Sequence, residues 1–311
     1  MKKSLKGAGN LSRKIITILV LSAMSGLGYA VDNSIYIDQS GSNATINITQ
    51  DGAGNTVNGL NSNGTAGQRS DAATLVGDGA QINVTQVGSG NTLSLSSNGG
   101  TANGSSQVTQ ITSNTTARDT TTLIKNVGDS NVIGITQTGN SSNVDSRIAG
   151  SRSNISITSA GASDSVQAGI VGNDSTINVS LSSGGGNTIK ANTQASSSIG
   201  INVDGINNYI DAAQTGSSNS ISIGGYSGNG SALYGNDNTI QLAQSGNGNS
   251  INLGLTGSTN FVGINQSNTG AGGQSANVKI SGDNNSVNIS QGITSTGVGF
   301  VSGSNFLTPA R

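Results

Sequence analysis

The chain has no cysteine, histidine, tryptophan or glutamate, and its single proline is Pro309. Without cysteine there is no thiol nucleophile, no thiolate metal ligand and no disulfide, so cohesion must come from backbone hydrogen bonding and packing. Without histidine there is no imidazole base and no Ser-His-Asp triad. The 14 acidic residues are all aspartates. Near-absence of proline leaves almost every backbone N–H able to donate, which suits long hydrogen-bonded ladders. Hydrophobic residues make up only 32% of the chain, a level that alone points to disorder, but charged residues at 9% are too few for the disordered class. What is plentiful is glycine, at 48 positions, with serine and asparagine. That composition favours short strands joined by turns.

The N-terminus has the layout of an export signal spanning 1–30. Lys2, Lys3, Lys6, Arg13 and Lys14 form a basic region, 15–21 is apolar, and Gly28-Tyr29-Ala30 is a small-x-small cleavage site before Val31. The apolar run is too short to cross about 30 Å of hydrocarbon. Cleavage at Ala30 removes five basic residues and no acid, taking the net charge from −1 to −6. A mildly acidic mature chain with no basic cluster is a poor nucleic-acid binder. No membrane span is expected in it.

The mature part, 31–301, is built from a repeat, with 302–311 as a tail. A small polar residue, alternating apolar positions and a closing glutamine recur at 33–39 (NSIYIDQ), 44–50 (ATINITQ), 80–86 (AQINVTQ) and 131–137 (NVIGITQ). The same unit returns at 208–214 (NYIDAAQ), 238–244 (NTIQLAQ), 260–266 (NFVGINQ) and 285–291 (NSVNISQ). The third and fifth positions of these eight units are Ile, Leu or Val in 15 of 16 cases, Ala212 being the exception. Alternation this strict marks a half-buried strand, odd positions facing in. By parity the bracketing amides face in as well. The expected inward set is Asn33, Gln39, Gln50, Asn55, Gln86, Asn91, Asn131, Gln137, Asn208, Gln214, Asn219, Asn238, Gln244, Asn249, Asn260, Gln266, Asn285 and Gln291.

Between units the glutamine is followed by x-Gly-x-x, as after Gln39, Gln50, Gln86, Gln137, Gln214 and Gln244. Glycine supplies the positive φ of a tight reversal. Degenerate copies keep the parity at 175–181, 187–191 and 197–203, while Gly/Ser/Asn-rich insertions fall near 61–71, 97–106, 225–231 and 268–275. Solenoids accept such insertions at their corners. The expected fold is an all-β solenoid of strand-turn-strand coils, about 22 residues per coil; a three-strand coil of about 33 residues is the alternative. Coils about 4.8 Å apart pair their backbones, and stacked inward amides bond to their counterparts one coil away. The 281 residues after Ala30 make about 11 coils, some 50 Å of stack.

The pattern [Asn/Ser]-x5-Gln-x-Gly-x-x-[Asn/Ala]-x5-Gln resembles the curlin repeat of curli fibre subunits, most fully over 33–55. The resemblance implies a secreted functional amyloid: a two-strand β-solenoid exported through the periplasm and an outer-membrane pore with chaperone help. It also implies end-to-end polymerisation with copies of itself, helped by a nucleator subunit, into extracellular cell-surface fibres of a biofilm matrix. This chain is longer than ordinary curli subunits, its repeats begin at Asn33, and long loops interrupt them. The alternative is a monomeric surface adhesin of the same fold.

Neither end shows an obvious cap of different composition, apart from the short tail with Pro309. Outward Tyr36, Tyr209 and Phe261 are expected to be isolated surface aromatics. Turn aspartates such as those in Gly172-Asn173-Asp174 and Gly235-Asn236-Asp237 lack the tandem nine-residue spacing of a calcium β-roll and fit a turn-forming, aggregation-limiting role. An enzyme is the remote third reading, because the aspartates are expected in turns, on no shared strand face. No catalytic, cofactor-binding or metal-binding residue is expected, and no cofactor.

Overall fold

The computed structural model describes residues 17–23, 33–40, 44–61, 71–76, 80–98, 110–224, 232–268, 272–292 and 300–302. The basic and cleavage regions of the export segment, the insertion 225–231 and the tail from 303 with Pro309 lie outside them. All described secondary structure is strand. Among these residues no helix is long and apolar enough to cross a membrane.

The strands alternate between two parallel sheets, so each coil contributes one strand to each. The front sheet runs from Thr17–Ala23 and Thr45–Asp51 through Gln81–Val87, Gln110–Thr115, Val132–Gln137, Asn154–Ser159, Thr176–Gly185, Ser198–Ile206, Ser220–Ile223 and Ser250–Thr256 to Ser275–Ser281. The back sheet begins with Ser34–Ile35 and Ile37–Ser40 and reaches Ser286–Gln291 through strands including Thr121–Val127, Asn143–Ala149, Ser165–Val171, Tyr209–Thr215 and Phe261–Ser267. The two-strand coil is therefore the architecture. Val132 pairs with Asn154, Asn154 with Thr176, Thr176 with Ser198 and Ser198 with Ser220, each step 22 residues.

The alternation in the sequence becomes one continuous core between the sheets. Ile46, Ile48, Ile82, Ile133, Ile155, Ile177, Ile199 and Ile221 stack along the front, and Val144, Val166, Ile189, Ile210, Ile240 and Val262 along the back, all essentially inaccessible. A lone seven-residue strand could not persist: ordering costs about 1–2 kcal/mol per residue, against about 2–3 kcal/mol for each of two or three buried aliphatics. Stacking removes the deficit by pairing both edges of every interior strand. Ile35 and Ile37, in the first back-sheet strands, are only partly buried, as no described strand pairs with the outer side of theirs.

Many corners reverse through a glycine at positive φ followed, two residues on, by a left-handed residue that is usually not glycine. Gly128 (φ 120°) precedes Ser130 (55°), Gly172 (117°) precedes Asp174 (60°), and Gly257 (134°) precedes Thr259 (60°). These glycines are also required sterically, since a Cβ on Gly128 would lie 2.0 Å from the Gly150 carbonyl oxygen. The left-handed residues recur at Asp119, Ser130, Ser141, Arg152, Ser163 and Asp174, an 11-residue beat.

Four features differ from the sequence expectation. The insertions at 61–71 and 225–231 are not at corners: Thr56–Asn58 and Ala73–Val76 both pair with Thr92–Asn98, and Ser220–Ile223 and Leu233–Tyr234 both pair with Ser198–Ile206, so each insertion leaves and re-enters within one strand of the coil. Ser97 and Asn98, assigned to an insertion, end the strand Thr92–Asn98 because the coil parity continues that far. The ends are not bare: Thr17–Ala23 lies parallel against Thr45–Asp51, and Phe300–Ser302 lies antiparallel against Ser286–Gln291. Asp38, Asp145 and Asp211 are not in turns but at outward positions of back-sheet strands.

Candidate assembly interface

Two corner rows carry the small polar residue that opens each strand. The back row runs Asn33, Asn55, Asn91, Thr120, Ser142, Asp164, Asn187, Asn208, Asn238, Asn260, Asn285; the front row includes Asn131, Ser153, Ser175, Ser197, Asn219 and Asn249. The geometry repeats. Oδ1 of each asparagine accepts the backbone N–H of its successor one coil on: Asn91 to Asn55 at 3.1 Å, Asn208 to Asn187 at 3.0 Å, Asn260 to Asn238 at 2.9 Å, Asn249 to Asn219 at 3.0 Å. On the back row from Asn187 onward the successor's Nδ2 donates to the same oxygen, and at Asn208 and Asn238 also to a glycine carbonyl in the next turn. Asn238 Nδ2 thus reaches Asn208 Oδ1 at 3.0 Å and the Gly257 oxygen at 2.9 Å.

The glutamines form two partial rows on opposite sheets. On the front sheet Gln50 Nε2 donates to Gln86 Oε1 at 2.8 Å. On the back sheet Gln214 donates to Gln244 and Gln244 to Gln266, both at 2.8 Å, and Gln266 to Gln291 at 2.6 Å. Beyond the first coil, which has Gln39 at the back and Gln50 at the front, the sheet opposite a glutamine closes its strand with an aliphatic or a short polar residue. The front slot passes to Leu181, Val203, Leu255 and Ile280 in the later coils, while the back slot holds Ile148 and Ile170 before glutamine takes it over. A second back-sheet amide at these heights would compete for the same volume between the sheets.

The expected inward residues all sit in these rows. Fifteen of the eighteen are buried; Asn33, Gln39 and Gln291, in the end coils, are half-buried. They are not all matched with their own kind. Asn131 Oδ1 accepts from Ser153 N–H at 3.0 Å and its Nδ2 donates to Asn126 Oδ1 at 2.8 Å, while Gln137 Oε1 accepts from the Thr122 hydroxyl across the core. In these central coils hydroxyls stand in for amides: Ser142 and Ser153 donate to the Gly161 and Gly172 carbonyls, the bond an asparagine makes elsewhere. Each such bond matters because a buried polar group left without a partner costs about 1–3 kcal/mol.

Sequence reading missed Asp164, which fills an asparagine slot at 1% exposure. Its Oδ1 accepts from both the N–H and Nδ2 of Asn187, each at 3.1 Å, and its Oδ2 accepts from the Ser159 hydroxyl at 2.9 Å. The signal that could have found it is the 11-residue beat, which places position 164 between Ser153 and Ser175.

The outer surfaces differ. The front face is lined mainly by uncharged side chains such as Asn47, Asn83, Ser156, Asn178, Asn202 and Asn252, with Asp204 and Lys279 among its outward charges and amide pairs at Asn47–Asn83 and Asn252–Asn277, both 2.9 Å. The back face carries Lys125, the Arg147–Asp145 pair at 2.8 Å, and Lys190 over the Tyr209 ring at 5.7 Å. Tyr36 is exposed and Tyr209 and Phe261 half-buried; they do not form a continuous stripe, since Thr239 separates the latter two in register. In the turns, Asn173 and Asn236 accept backbone N–H from Ser151 and Ile206, and Asp174 pairs with Arg152 at 2.7 Å. Among the described residues no three acidic, His or Cys side chains gather as metal ligands.

Fold and rows together define the class: a two-sheet parallel β-solenoid held by side-chain amide ladders. No protein family model, no curated protein and no solved structure matches the chain.

Proposed function

We propose that this chain is a secreted structural protein that self-assembles into curli-like amyloid fibres at the cell surface. The observation that carries the reading is that the amide rows run into the last coil at both ends, in a parallel register that a second copy can continue. Asn55 N–H donates to Asn33 Oδ1 at 3.0 Å in the first coil, and Asn285 N–H to Asn260 Oδ1 at 2.8 Å in the last. The motif resemblance to curlin repeats supports the same reading, and with it export through the periplasm and a dedicated outer-membrane pore. Terminal strand edges recruit further strands unless something covers them.

The test is incubation of the purified chain from Val31 onward, followed by thioflavin fluorescence, electron microscopy and fibre diffraction. Fibres with a meridional spacing of about 4.8 Å are expected. A persistently monomeric, dye-negative solution would support the monomeric adhesin instead and remove the fibre reading.

A further inference from the structure

The strand Ser286–Gln291 ends the back sheet's repeat, and its outer side is met by Phe300–Ser302 running the opposite way. This reversal stands out in a fold whose coil-to-coil pairings are parallel. It spans three positions: Ser286 opposite Ser302, Val287 opposite Val301, Asn288 opposite Phe300. Among the described residues no strand pairs with the outer side of the neighbouring front strand Ser275–Ser281. The reversed strand, Phe-Val-Ser, brings neither an asparagine nor a glutamine, so it continues neither row.

The other end of the molecule supplies what the interrupted rows call for. Residues 33–39 and 285–291 are both Asn-x5-Gln units of the back sheet. Stacked in register, they bring Ile35 and Ile37 over Val287 and Ile289. The same placement continues the bond directions of the interior, where each asparagine N–H donates one coil back and each glutamine Nε2 one coil forward. On the front sheet Ile46 and Ile48 would cover Ala276 and Val278, while Gln50 would meet Ile280; the back sheet is the better-matched half. The place this gives Ser275–Ser281 beside Thr45–Asp51 is the one that Thr17–Ala23 holds in the full chain.

Resting on the fibre reading, we propose that Phe300–Ser302 is a displaceable cap on the C-terminal edge, and that the N-terminal coil of a second copy displaces it. A parallel partner offers the back-sheet strands Ser34–Ile35 and Ile37–Ser40 and continues both amide rows, where the described cap pairing spans three positions. Occupancy of the edge by the cap lowers the competent fraction, and the apparent affinity for the next copy falls by that fraction.

Seeded elongation of the chain from Val31 tests this with two variants: a chain ending at Gly292, and Val301→Pro, which removes a backbone donor from the cap. Both are expected to elongate about tenfold faster than the parent, as for an edge capped some nine-tenths of the time. Equal rates in fibre-forming samples would overturn the cap and leave the fibre reading standing; absence of fibres from every form would overturn both. Register is read separately in mixed fibres of Ser34→Cys and Ser286→Cys chains, which carry no other thiol. Oxidation should give covalent dimers with that pair and not with Ser34→Cys and Ser290→Cys; the reverse result would overturn the assigned occupant.

Discussion

Asn238 donates its backbone N–H and its side-chain amide to Oδ1 of Asn208, one coil back, at 3.1 and 3.0 Å. Six residues later the direction reverses, with Gln244 Nε2 donating one coil forward to Gln266. Backbone partners fix both orientations: Asn238 Oδ1 accepts Asn260 N–H, and Gln266 Nε2 also donates to the Ser250 carbonyl. The two rows thus oppose their amide dipoles across one sheet.

Removing one rung should therefore cost far more than removing an outward amide of the same strand. Gln244→Ala leaves Gln266 Oε1 without its donor and Gln214 Nε2 with only the Ser198 carbonyl, and should lower stability by about 2–3 kcal/mol. Gln241→Ala, on the exposed side, should stay within about 0.5 kcal/mol. Urea midpoints of the three chains check this, and equal shifts would show that the inward row contributes nothing special.

Asp164→Asn should stabilise the fold. Asparagine keeps an oxygen for Asn187, and its NH2, in the place of Oδ2, donates to the Ser159 oxygen, whose hydroxyl now accepts, and toward the Gly184 carbonyl, the counterpart of the bond from Asn187 to Gly205 at 3.0 Å. A gain of about 1 kcal/mol is expected. An unchanged or lower thermal midpoint would contradict it.

The left-handed corner residues offer a second kind of gain. Thr259 sits at φ 60°, where a β-branched side chain is strained and asparagine is at ease. Thr259→Asn should add up to about 1 kcal/mol, whereas the same change at Asn284, already asparagine at φ 58°, has no such margin. Calorimetry of Thr259→Asn decides.

The exposed pair Arg152–Asp174 gives a pH signature. Its hydrogen bond, and then its charge, hold the Asp174 carboxyl below the ordinary aspartate range. A depressed native value means the pair stabilises above the ordinary carboxylate range and is lost as pH falls through the native value. In Arg152→Ala the Asp174 titration, followed by NMR, should move up, and the stability difference from the parent should vanish in strong acid. A midpoint that stays put would show the pair is not formed in solution.

Much of this was legible in the sequence, for a physical reason: a strand buried on one face and stacked on copies of itself needs the same parity everywhere, and parity survives substitution. Ile133, Ile155, Ile177 and Ile199 keep it even where Gln137 gives way to Ser159 and Leu181. The exchange of the glutamine row from front to back sheet was not legible, because strands of the two sheets carry the same motif. Nor was Asp164, since aspartate usually belongs in turns. The cap at Phe300–Ser302 escaped too, because three paired residues leave no pattern.

The rows also fix what the insertions are free to do, whether they leave at a corner or, as between Ile223 and Leu233, within a strand. Asn131 to Ser153 spans 22 residues, Gln266 to Gln291 25, Asn91 to Thr120 29, Gln214 to Gln244 30 and Gln50 to Gln86 36. In every case the chain leaves the coil and returns to the same register. The lattice reads only where a strand re-enters, not what was said in between. A foreign peptide grafted between Gly224 and Ala232 would travel as cargo, one per molecule, set at a regular interval along whatever the molecules build.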